Sequence, residues 1–64
     1  MEPYEITGLL PLLRQAGVEF EPKFKRIYLA DTSMSVLDIA GQLNVDPKVI
    51  TSRRVFGFHV ICIA

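Results

Sequence analysis

The sequence predicts a small α+β domain over residues 1–64, ordered as helix, β-hairpin, two short crossed helices and a C-terminal strand. Three observations carry this. Two helix-start signals stand close together, at Ser35 and at Asp46-Pro47. Alternating or β-branched runs flank them, over residues 18–29 and over Phe58–Ile63. Leucines recur at helical spacing shortly before Gly17.

Residues 6–16 read as the first helix, with Leu9, Leu10, Leu12 and Leu13 on its apolar side and Thr7 as the candidate N-cap. Proline is tolerated in a first turn and costs about 3 kcal/mol in a helix interior, so regular helix begins close to Pro11. Gly17 stands where a left-handed C-cap is expected. In the next stretch, residues 18–30, Val18 and Phe20 alternate with Glu19 and Glu21. Pro22-Lys23 interrupts that run, and residues 24–29 resume it with aromatic and β-branched side chains. A hairpin turning at residues 21–23 is one solution, although the turn lacks an Asn-Gly or Asp-Gly pair.

Ser35-Val36-Leu37-Asp38 has the serine-to-acid spacing of a helix start, and Asp38 suits the positive end of the helix dipole. This helix runs to about Leu43 and buries Val36 or Leu37, Ile39, Ala40 and Leu43. Asp46 caps a third helix and Pro47 opens it, with Val49 and Ile50 as its buried pair. That helix ends near Arg53 or Arg54, because Gly57 follows closely. Residues 55–64 close the chain as a strand apolar on both faces. Such a strand either pairs centrally with residues 24–29 or lies at an edge, where Phe58–Ile63 can pair with a second copy.

Composition narrows the function classes. A chain of 64 residues buries only about 60% of the surface its unfolded form exposes, and half of these residues are apolar. A partner surface is therefore expected, either another copy or a larger protein. Cys62 is the single cysteine and His59 the single histidine, too few for an intrachain disulfide or a zinc site. No cofactor is implied. One free thiol fits a reducing compartment, and the opening Met1-Glu2-Pro3-Tyr4-Glu5 lacks the basic start of a signal peptide, which points to the cytoplasm. No apolar run is long enough to span a membrane. Charge is zero overall but uneven: residues 1–21 carry −3 and residues 22–64 carry +3.

The spacing from Ile39 to Ile50 has a physical logic. Ala40 is small enough for a second helix to cross closely, Asn44 can take the left-handed conformation of a tight turn, Val45 plugs the corner, and Ile50 packs back on Ala40 and Leu43. Residues 35–54 thus resemble the helix-turn-helix family, and the whole chain a winged-helix-like domain. Residues 26–63 also look like the small N-terminal module of bacterial translation initiation factor 2, through Arg26-Ile27-Tyr28-Leu29, Ser35 to Ala40, Val49-Ile50 and Gly57-Phe58-His59-Val60. That second resemblance supports the fold and not a role in translation.

A helix-turn-helix unit implies a non-catalytic regulator that binds DNA or RNA. Docked on DNA, the second helix of the pair enters the major groove, with Lys48, Thr51 and Ser52 as readers and Arg53 or Arg54 reaching phosphate. Lys23, Lys25 and Arg26, beside Phe24 and Tyr28, form a basic and aromatic cluster on a strand or wing, suited to a phosphate backbone or a stacked base. The competing class is a protein-interaction module, a small inhibitor or adaptor using its apolar surface or C-terminal edge strand. Catalysis finds no support: His59 and Cys62 sit in an apolar strand with no nucleophile motif, phosphate loop or carboxylate pair.

Overall fold

The computed structural model describes residues 2–64; Met1, read above as part of the acidic opening segment, lies outside them. Four strands, β1 (Tyr4–Glu5), β2 (Arg26–Ala30), β3 (Ile50–Val55) and β4 (Phe58–Ile63), form one antiparallel sheet in the order β1-β2-β4-β3. Two α-helices, α1 (Leu10–Gln15) and α2 (Val36–Leu43), accompany it. The expected α+β class therefore holds. Among the described residues, no helix is long and apolar enough to cross a membrane.

The unbroken apolar run of β4 has a direct cause. Its side chains alternate between two separate cores, one on each face of the sheet. Val60 and Cys62 join Ile6, Val18, Phe20 and Ile27, with Leu10 and Leu13 of α1 packed against them. Ile61 and Ile63 join Tyr28, Ala30 and Ile39 of α2, with Leu43, Val45 and Ile50 alongside. A strand covered on both faces needs no polar alternation.

Local signals account for most helix ends. Ser35 Oγ accepts the Asp38 amide at 3.1 Å, and Asn44 ends α2 in the left-handed region at φ 57°. Pro11 falls in the first turn of α1, and Gly17 follows it with φ 87°. Thr7 does not cap α1. Its hydroxyl instead ties β2 to the N-terminal segment, accepting the Ile27 amide at 3.0 Å and donating to Glu5 at 2.9 Å.

Three expectations are corrected. First, Asp46 and Pro47 do start a helical turn, with the Lys48 amide 2.9 Å from Asp46 Oδ1, but it is a 3₁₀ turn ending at Val49. Residues 50–55 are strand β3, so the crossed second helix of a helix-turn-helix is not formed. The competing partner is β4, with which β3 makes a full six-residue register from Ile50↔Ile63 to Val55↔Phe58. Second, residues 18–21 do not pair with β2. The turn at residues 21–24 is present, with the Phe24 amide donating to Glu21 at 3.1 Å, and Val18 and Phe20 point into the core. The place beside β2 is taken by β1. Third, of the two placements expected for Phe58–Ile63 the central one holds, with β2 on one side and β3 on the other, and the edge placement that would let a second copy pair with it does not.

The β3–β4 hairpin turns on Phe56 and Gly57, whose φ values of 51° and 81° are both positive, as a type I′ turn requires. Phenylalanine is poorly suited to that conformation, and Phe56 is 75% exposed, so no packing offsets the strain. Phe56→Asn should raise stability by about 1 kcal/mol, read as a higher urea midpoint at unchanged slope. An unchanged or lower midpoint would rule out a strained turn here.

Candidate functional site at the free sheet edge

An antiparallel sheet of this order has two edges, and they differ. The β1 edge is two residues long. The β3 edge is six residues long and nothing pairs with it among the described residues. In a two-residue hairpin the closing pair, Val55 and Phe58, is a hydrogen-bonded one, and bonded pairs then alternate along the ladder. The 3.3 Å bond from the Ala64 amide to the Val49 carbonyl continues the same phase. Thr51, Arg53 and Val55 therefore turn their backbone groups toward β4. Ile50, Ser52 and Arg54 turn theirs outward, and no partner for the amides or carbonyls of Ser52 and Arg54 lies among the described residues.

On the α1 face this edge borders an open cleft of about 690 Å³, lined by Glu19, Phe20, Glu21, Pro22, Lys23, Phe24, Thr51 and Arg53. The loop of residues 19–24 forms its far wall. Arg53 braces that wall: its Nη1 donates to the Glu19 carbonyl at 2.9 Å, and its guanidinium lies 5.0 Å from the centre of the Phe20 ring. Lys23 is held within the loop, 3.3 Å from Glu21 and 5.2 Å from the Phe24 ring centre. Both groups of that ion pair are largely exposed, so it adds little to stability.

The eight residues singled out by sequence thus fall into three places. Lys23, Thr51 and Arg53 meet in the cleft. Ser52 and Arg54 share β3 but face the α2 side, since strand side chains alternate. Lys48, Lys25 and Arg26 gather at one end of the sheet, where Arg26, Ile63 and Ile50 form a row across three strands. Arg26 is the most tied of these, with Nη1 3.5 Å from the Tyr28 hydroxyl. Phe24 and Tyr28 lie in opposite cores, so they do not make one stacking platform. Sequence reasoning missed Phe56 and Phe58, 75% and 55% exposed at the hairpin tip beside this edge. The signal was present as a two-residue Phe-Gly loop between strand-like runs, but it lacked the Asn or Asp that marks a type I′ turn.

Elsewhere, polar groups act structurally. The Asp31 carboxylate accepts the Ser33 amide at 2.9 Å and its hydroxyl at 2.7 Å, and these bonds hold the carboxyl below its usual range. The His59 ring meets the Asp31 main-chain oxygen at 3.4 Å, not its carboxylate. Among the described residues no group of three His, Cys, Asp or Glu side chains is placed to hold a metal ion.

Cys62 is fully buried in the α1-side core. Burial pushes its thiol above the ordinary range, and Arg53 pulls it down by a smaller amount. The unfolded chain therefore ionises this thiol first and releases a proton that the folded chain keeps. Stability is full below the ordinary thiol pKa of about 8.5 and falls as pH rises beyond it. Urea midpoints should decline between neutral pH and about pH 9.5, and Cys62→Ala should lose that part of the decline. A wild-type midpoint flat over this range would mean that the thiol is not buried.

No protein-family model, curated protein or solved structure matches the chain.

Proposed function

We propose that this protein is a small, non-catalytic protein-interaction module, an adaptor or inhibitor that joins a larger protein by strand addition at β3. The observation that carries the reading is the pair of outward, unpartnered backbone units at Ser52 and Arg54 on a six-residue edge, the Ile50 amide beside them being bonded to the Pro47 carbonyl. Main-chain bonds at such an edge supply affinity, and pockets for alternate side chains supply specificity. The cleft walled by Phe20 and Phe24 provides such a pocket on one side. Exposed Phe56 and Phe58 extend the apolar surface beyond the hairpin tip. A single buried thiol suits work in a reducing compartment, the cytoplasm.

The test is selection from a random extended-peptide library on immobilised protein, followed by amide chemical-shift mapping. Selected peptides should shift and protect the Ser52 and Arg54 amides while leaving the Thr51 amide, already bonded to β4, protected as before. Binders that perturb only other surfaces would retire the reading.

A second reading keeps nucleic acid as the partner, with the β3–β4 hairpin serving as a wing in place of the unformed helix. It rests on Lys25, Lys48 and Arg54, which are exposed and make no ion pair among the described residues. It expects binding to mixed-sequence duplex that weakens linearly on a log–log salt plot, and lapses if none is seen at low salt.

A further inference from the structure

Resting on the strand-addition reading, we infer that the segment taken up by β3 is an extended peptide whose side chains alternate between carboxylates and apolar groups. Charge is the first argument. Residues 47–64 contain Lys48, Arg53 and Arg54 and no acidic residue at all. The two arginines are not equivalent. Arg53 is occupied by the Glu19 carbonyl and the Phe20 ring, on the cleft side. Arg54 projects from the opposite face, exposed and without a partner among the described residues.

The two faces of an added strand therefore meet different chemistry. Residues opposite Ser52 and Arg54 fall on the α2 side, beside the free guanidinium of Arg54, where a carboxylate is favoured. Residues opposite Thr51 and Arg53 enter the cleft, whose walls include Phe20, Pro22 and Phe24 and whose rim carries Glu19 and Glu21. Lys23 pairs with Glu21 there and Arg53 is spent on the Glu19 carbonyl, so the cleft's charges balance, nothing in it draws an acid, and its aromatic and proline walls suit an apolar side chain. Strand period two then dictates the alternation.

A second copy fits poorly. Pairing β3 with itself in any antiparallel register brings four arginines onto one interface with no carboxylate on either strand. A phosphodiester backbone also fits poorly. It can accept from the Ser52 and Arg54 amides but has no donor for their outward carbonyls, whereas a peptide backbone answers both.

The experiment compares fluorescein-labelled Glu-Val-Glu-Val-Glu-Val with Lys-Val-Lys-Val-Lys-Val, read by anisotropy at low and moderate salt, with amide shifts locating the site. The acidic peptide should bind at least about tenfold more tightly than the basic one and shift the Ser52 and Arg54 amides. Arg54→Ala should erase the preference and Arg54→Glu should reverse it. Methylating alternate backbone nitrogens of the acidic peptide should abolish binding with its charge intact. Equal binding of both peptides at the Ser52 and Arg54 amides would overturn the acidic partner and leave strand addition standing. Binding of neither would overturn it too, and the library selection would then decide on strand addition alone. Sedimentation showing a β3-dependent dimer would replace the acidic peptide with a second copy. Arg54-dependent binding of labelled oligo-uridine, with no peptide binding, would replace it with nucleic acid.

Discussion

Replacing Ile61 with alanine is expected to leave most of the protein unfolded at room temperature. Ile61 is fully buried at the centre of β4, with Tyr28 and Ser52 as its cross-strand neighbours. Truncating a buried isoleucine costs about 2–5 kcal/mol, the lost transfer energy plus the cavity left behind. The cores of a chain this short rarely supply more than about 3–5 kcal/mol in total. The two quantities are comparable, so the substitution consumes nearly all the margin. Urea unfolding followed by circular dichroism measures this directly. Leu37→Ala is the control, since Leu37 is 71% exposed on α2 and its loss should change stability by less than about 0.5 kcal/mol. If Ile61→Ala kept the wild-type midpoint, β4 would not be the axis of the sheet.

The second large effect is a contrast between neighbours. Thr51→Pro should destabilise by about 1–3 kcal/mol, because it removes an amide that bonds β4 and leaves the Cys62 carbonyl opposite it unsatisfied in the buried core. Ser52→Pro, one residue along, removes an amide that points to solvent, the one side of an edge strand where proline is tolerated. It should leave the urea midpoint within about 0.5 kcal/mol of wild type while abolishing strand addition. Proline scanning of β3 with midpoint and peptide binding read together tests both statements. Equal damage at the two positions would mean that the ladder phase, and hence the identity of the outward groups, is wrong.

Much of this fold was legible where a residue type has one physical use. Ser35 and Asp46 accept backbone amides, Pro47 opens a turn, Asn44 and Gly17 take positive φ, and each does so at the expected place. What the sequence hid was the competition for residues 50–54. Ile-Thr-Ser-Arg-Arg is acceptable to a short helix, and its strand state depends on pairing with β4, a non-local fact. Reading Gly57 as a helix stop, when it is half of a hairpin turn, followed from Phe56 occupying the position that asparagine usually marks. Alternation in residues 18–21 was real, since Val18 and Phe20 are buried and Glu19 and Glu21 exposed, yet alternation reports facing and not hydrogen bonding. The site was legible to the same degree. Lys23, Thr51 and Arg53 were singled out as cations and readers, but the cleft that unites them exists only once β3 lies beside the loop of residues 19–24.

The central position of β4 also sets the order in which this chain can acquire its structure during synthesis. β4 follows every other element in the chain and is the ladder partner of both β2 and β3. Until it leaves the ribosome, β2 has only two residues of β1 beside it, and β3 has nothing. The β2–β4 pairs join residues roughly thirty positions apart, the kind of contact that slows folding. Both cores include fully buried side chains from β4, Cys62 in one and Ile61 with Ile63 in the other. Neither layer can therefore close before β4 is available to it. The interval before β4 emerges is the one in which the apolar side chains of β2 and β3 lack their cover and are most open to aggregation.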